Sequence, residues 1–72
     1  MGMTAAEKIR TLMSRKNVSM GDMAEGTNQS RQNLSNKMKR DDFSEKELQK
    51  MAAVLGCTVE IVFRDADGNI EL

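Results

Sequence analysis

The 72-residue chain contains no histidine and one cysteine, Cys57. A lone cysteine excludes an internal disulfide framework, and without histidine beside it no zinc constellation of the usual ligand types can be assembled. No cofactor is expected, and the expected setting is a reducing cytoplasm. The lack of histidine also argues against an enzyme, as does the lack of a glycine-rich phosphate loop or of a nucleophile beside an identifiable base. No apolar run reaches the roughly 18 residues of a membrane span, and the start lacks a basic flank followed by an apolar stretch, so neither a span nor a secretory signal is expected. Proline, internal repeats and low-complexity tracts are missing too. A chain this short is expected to form one domain, 1–72, whose apolar residues share a single core. No function is assigned to the Met1-Gly2-Met3 start.

Net charge is also zero, but it is unevenly spread. Residues 1–40 carry eight basic side chains against three acids, and residues 41–72 carry three against eight. Such a chain can present a basic face to a polyanion while an acidic face points away, or simply carry ordinary solvated charges.

What is plentiful is helix punctuation. Thr4 with Glu7, Ser19 with Asp22 and Ser44 with Glu47 have capping-box spacing, each pair able to satisfy two orphan N–H groups at a helix start. Val18 with Met23 and Phe43 with Leu48 have the spacing of hydrophobic staples. Behind these starts the apolar residues recur at helical period: Ala5, Ile9, Leu12 and Met13 in one segment, Leu48, Met51, Ala52 and Leu55 in another. Helices are predicted at about Ala5 to Lys16, Met20 to Thr27, Arg31 to Arg40 with Ser30 as N-cap, and Glu45 to Leu55, the last stopped by Gly56 as its C′ residue. Met13, Met23, Met38 and Met51 fall at core spacing rather than forming an adaptable binding groove. Cys57 reads as a small core residue before a redox sensor or crosslink, and Phe43 as the staple.

After Gly56 the composition turns β-branched, from Thr58 to Phe63, and Asp65-Ala66-Asp67-Gly68-Asn69 is a turn composition before Ile70-Glu71-Leu72. A strand and short hairpin over about 58–72 is predicted; the alternative is a fifth helix capped by Thr58.

The stretch from Ser19 to Asn36 resembles the helix-turn-helix of the phage-repressor and Cro-like family, also called the XRE family. Ala24 stands where that family has a small residue at the helix crossing, and Asn28 stands at its turn glycine, asparagine being tolerant of the left-handed conformation. Met23 and Leu34 match apolar core positions, Ser30 opens the second helix, and Lys39 to Ser44 resembles the family's lead into the next helix. The resemblance covers about Thr4 to Gly56. It implies a mainly α fold, a four-helix lambda-repressor-like helix-turn-helix domain over about 4–56, here followed by a C-terminal β-hairpin in place of the common fifth helix. It also implies a DNA-binding transcriptional regulator. Several positions depart from the pattern. Thr27, Gln29 and Lys37 replace residues that are more often apolar, Met20 replaces a frequent glutamine, and Gly21 and Gly26 each weaken the second helix by about 1 kcal/mol relative to alanine.

At about 100° per residue, Leu34 and Met38 define the buried side of the third helix and turn Gln32, Asn33, Asn36, Lys39 and Arg40 outward. No acid interrupts Gln29 to Arg40. Amides pair bidentately with adenine and arginine with guanine in the major groove, so Arg31, Gln32, Asn33 and Asn36 are the expected base-contacting residues of double-stranded DNA. Lys37, Lys39 and Arg40, with Ser19 at the start of the second helix, are expected at phosphates. The alternative is a polar solvated face. In the C-terminal segment, Val59, Ile61 and Phe63 share one strand face and are expected to dimerise two copies through an unpaired edge, as Cro-like proteins can, or else only to cover their own helices. The rival function is a protein-binding adaptor or antitoxin on the same scaffold, with an unidentified protein partner at the hairpin.

Overall fold

In a computed structural model, residues 2–72 are described; Met1, to which no role was assigned, lies outside them. Four helices follow one another: α1 Ala5–Lys16, α2 Met20–Gly26, α3 Arg31–Arg40 and α4 Glu45–Val54. All three expected capping boxes form, on Thr4, Ser19 and Ser44, and the Ser30 hydroxyl oxygen accepts from the Asn33 N–H. These local hydrogen bonds explain why the starts coincide with the residues that the spacing indicated.

The helices end in a common way that the sequence disclosed only in part. Asn17, Asn28, Asp41 and Gly56 all have positive φ, of 59°, 57°, 52° and 68°. After each helix the residue beyond the left-handed one donates back to a carbonyl in the last turn: Val18 to Met13, Gln29 to Ala24, Asp42 to Lys37 and Cys57 to Ala52. These are Schellman closures, which satisfy carbonyls that the helix itself leaves without donors. Asparagine and aspartate occupy three of the four, being the non-glycine residues that best tolerate this region.

The core joins all four helices. Ala6, Ile9 and Met13 of α1, Met23 and Ala24 of α2, Leu34 and Met38 of α3, and Met51 of α4 with Leu55 beyond it form one buried cluster. Met23 and Leu34 are 0% exposed and Met51 1%, so the four methionines expected in the core are there. Phe43, Val18, Leu48 and Cys57 are partly buried against it. On the remaining side, Ala5, Ile9 and Leu12 of α1 face Leu48, Met51 and Ala52 of α4 across an open groove of about 340 Å³, bordered by residues 57–61.

The C-terminal hairpin of strands does not form. Among the described residues there is no strand and no fifth helix; pairing is confined to one isolated antiparallel bridge, Arg64 to Glu71, and the hydrogen bonds that flank it. Phe63 and Leu72 exchange backbone hydrogen bonds around it, and Asp65 N–H donates to Ile70 O. The physical reason is that a two-stranded ribbon is marginal without a surface to cover, and these residues cover none: Phe63 is 72% exposed, Ile70 53% and Leu72 81%. Val59 and Ile61 instead border the groove between α1 and α4. The radius of gyration, 13.4 Å, exceeds the roughly 11 Å of a compact chain of this length, as a C-terminal segment not folded onto the helices requires.

Candidate nucleic-acid interface

Helices α2 and α3 are joined by four residues, 27 to 30, and their packing depends on small and polar groups. Ala24 is buried at the junction and Asn28 takes the left-handed turn conformation expected of it. Thr27, an unusual residue for a buried turn position, is 9% exposed and fully occupied. Its hydroxyl donates to Met23 O at 2.7 Å and accepts from the Gln29 side-chain N–H at 2.8 Å. The Gln29 amide oxygen then accepts from Asn33 Nδ2 at 3.0 Å. A chain of polar contacts thus stands in for the missing apolar ones, and burying a polar group is tolerable on that condition.

The surface of α3 divides into a centre and two flanks. With Leu34 and Met38 buried, Gln32, Asn36, Lys39 and Arg40 project to solvent on the opposite side, as the helical period requires. One flank leans on α4 and the turn: Asn33 is tied to Gln29, and Lys37 Nζ donates to Glu47 Oε1 of α4 at 2.6 Å. The other flank leans on α2. There the guanidinium of Arg31 lies directly over Gly21, where an added Cβ would fall 2.9 Å from Nε and 3.0 Å from Cζ and would touch Nη2 as well. Of the four expected base-contacting residues, then, Gln32 and Asn36 are exposed and make no side-chain hydrogen bond among the described residues, while Asn33 and Arg31, both exposed, are drawn toward neighbouring elements.

Charge on this surface is held in place by local bonds. The hydrogen bond from Lys37 keeps the Glu47 carboxyl below its ordinary value of 4.5, against desolvation and with help from the Ser44 N–H and from Lys50. Ser19, through its N–H and its side chain, keeps Asp22 below 3.8, and the nearby charge of Arg31 adds to this. Ser19 is therefore engaged by Asp22 at the start of α2, while Lys39 and Arg40 stand exposed in the last turn of α3. A short helix packed on another of ten residues, which offers amides and cations on one acid-free outer face, is a shape that fits a DNA groove.

The family model for the Cro/C1-type helix-turn-helix DNA-binding domain matches residues 8–62. The chain belongs to the Cro/C1-type helix-turn-helix family. No curated protein and no solved structure matches it. This Cro/C1-type domain is accordingly a DNA-binding regulator built on four helices, and among its described residues no helix is long and apolar enough to cross a membrane. Its match extends from α1 through the residues that border the α1–α4 groove. Two features of the Cro/C1-type domain escaped sequence reasoning. Helix propensity reads Gly21 and Gly26 only as weakening α2, yet each faces a side chain that an added Cβ would displace, Arg31 in one case and Val54 in the other. Both are approaches between helices, and spacing along the chain marks neither.

Proposed function

We propose that the chain is a sequence-specific transcriptional regulator that inserts α3 into the major groove of double-stranded DNA and acts as a homodimer in the cytoplasm. The observation that carries this reading is the outer face of α3, where Gln32 and Asn36 stand exposed beside Lys39 and Arg40 with no acid among them. Gln32 and Asn36 read base edges, and Arg31 reads a base near the helix start. Asn33 supports the face from the side through Gln29. Lys39 and Arg40 meet phosphates, whereas Lys37 serves mainly to tie α3 to α4 and Ser19 to cap α2. Dimerisation proceeds through apolar residues of the C-terminal segment, the exposed Phe63 above all, with Ile61 and the half-buried Val59, which supports binding to half-sites about 34 Å apart on one face of the duplex.

Selection of bound sequences from a random DNA pool tests the reading. Wild-type protein is expected to return a two-fold-related site, and Gln32→Ala and Asn36→Ala to relax the preference at particular base pairs with little change in stability. Unchanged preference in both variants would overturn the assignment of α3. The exposed Phe63, Ile70 and Leu72 also support a second reading, an adaptor or antitoxin whose C-terminal segment engages another protein. A folded, monomeric chain that fails to bind any DNA at about 50 mM salt, where phosphate contacts are strongest, would favour it.

A further inference from the structure

We infer that Gly21 is a positioning residue for sequence readout: by lacking a Cβ it leaves a seat on the first turn of α2 in which the Arg31 guanidinium rests, and this seat sets the base preference that Arg31 imposes. The inference depends on the reading of α3 as the DNA-contacting helix. Three observations converge on it. The guanidinium, rather than the aliphatic stem, occupies the space a side chain at position 21 would take, with Nε and Cζ at 2.9 and 3.0 Å from the site of the absent Cβ. Gly21 lies inside α2 and is not among the positive-φ residues, so nothing in its own backbone calls for glycine. Helix propensity disfavours glycine there relative to alanine, so the glycine is not there to stabilise α2.

The seat matters because an arginine recognises a base through a rigid fork of donors whose direction decides what it meets. A guanidinium laid against α2, with Asp22 adjacent, has fewer orientations to lose on binding than one free in solvent. A methyl group at position 21 displaces the guanidinium and leaves the core untouched, since the atoms it meets are the far end of a flexible side chain. The consequence is a change in sequence preference without a loss of fold.

The test compares wild type, Gly21→Ala, Arg31→Ala and the double variant by selection from a random DNA pool and by thermal unfolding, with Gln32→Ala as the control for α3 itself. Gly21→Ala is expected to unfold at the same temperature or higher, and to shift discrimination by about tenfold at the base pair whose preference Arg31→Ala abolishes. In the Arg31→Ala background, Gly21→Ala should change discrimination less than twofold. The inference is overturned if Gly21→Ala leaves that preference within twofold of wild type, if it has the same effect with Arg31 absent, or if Arg31→Ala alters no position. Failure of the Gln32→Ala control to change any preference would instead remove the reading of α3 on which the inference rests.

Discussion

Asp41, the left-handed residue on which α3 ends, caps the start of α1: its Oδ1 accepts from the Ala6 backbone N–H at 2.7 Å, across 35 positions of sequence. Thr4 satisfies the N–H of Glu7 and Asp41 that of Ala6, so two of the orphan donors of α1 are filled from different parts of the chain. One residue therefore closes one helix and opens another. Asp41→Ala loses the acceptor and leaves at positive φ a residue that tolerates it less well than aspartate, and is expected to destabilise the fold by about 1–3 kcal/mol in urea unfolding. Asp41→Asn keeps an oxygen and a tolerated backbone, and should cost less than about 1 kcal/mol. Equal losses for the two would mean that the cap contributes nothing.

Gly26 of α2 lies against Val54 of α4. A Cβ there would sit 2.6 Å from Val54 Cγ2, and valine has few rotamers with which to move away. Gly26→Ala is expected to lower stability by about 1–3 kcal/mol despite its better helix propensity. Combined with Val54→Ala the penalty should largely disappear, which a double-mutant cycle by thermal unfolding would measure. Additive losses would place the cost elsewhere.

Acid should weaken the link between α3 and α4. The folded-state pKa of Glu47 is depressed below 4.5, so its contribution is complete above that value and disappears as pH falls through the lower folded-state value. Asp22, held below 3.8 by Ser19, follows the same sign in a lower window. Stability measured from pH 6 downward should therefore decline below about 4.5, and Glu47→Gln should flatten the upper part of that decline. A wild-type slope retained by Glu47→Gln would assign the acid response to other groups.

The two lysines of the last turn of α3 should differ on DNA. Lys39 is exposed and Lys37 is held by Glu47 at 2.6 Å. Lys39→Ala or Arg40→Ala is expected to weaken binding to all sequences alike and to reduce the slope of log K against log salt by about 1. Lys37→Ala should change that slope less and cost folding stability instead. Identical salt slopes for Lys37→Ala and Lys39→Ala would show both lysines at phosphates.

Dimerisation should follow the exposed apolar tail. Phe63→Glu is expected to shift sedimentation at high micromolar concentration from dimer to monomer while the melting of the helices stays within a few degrees, because Phe63 is 72% exposed and lies outside the core cluster. A dimer that survives both Phe63→Glu and deletion from Thr58 onward would locate the interface elsewhere.

How much of this was readable beforehand depends on the range of the force concerned. The starts of α1, α2 and α4 follow from oxygen-bearing residues three positions from a carboxylate, and Asn28 is legible because the family resemblance places it at a turn glycine. Leu34 and Met38 followed from helical period, and with them the outward direction of Gln32 and Asn36. Asn17 and Asp41 obey the same local rule as Asn28 yet gave no comparable signal, since an Asx residue after a helix marks a left-handed closure less distinctly than glycine. The C-terminal strands do not form, because β-branched residues from Thr58 to Phe63 favour a strand only where a sheet or core is present to receive them.

Local chemistry in the sequence by itself determined four capped helices, a buried row of methionines and one amide-rich, acid-free helix face, because capping and periodicity act within a few residues. Tertiary structure alone decided that Asp41 caps α1, that Gly26 admits Val54, that Lys37 is bound to Glu47 and that Arg31 is seated over Gly21. Each of these is an approach between helices, set by crossing geometry that no spacing along the chain encodes. The same geometry left Phe63 and Leu72 uncovered, since the helices close their core without them.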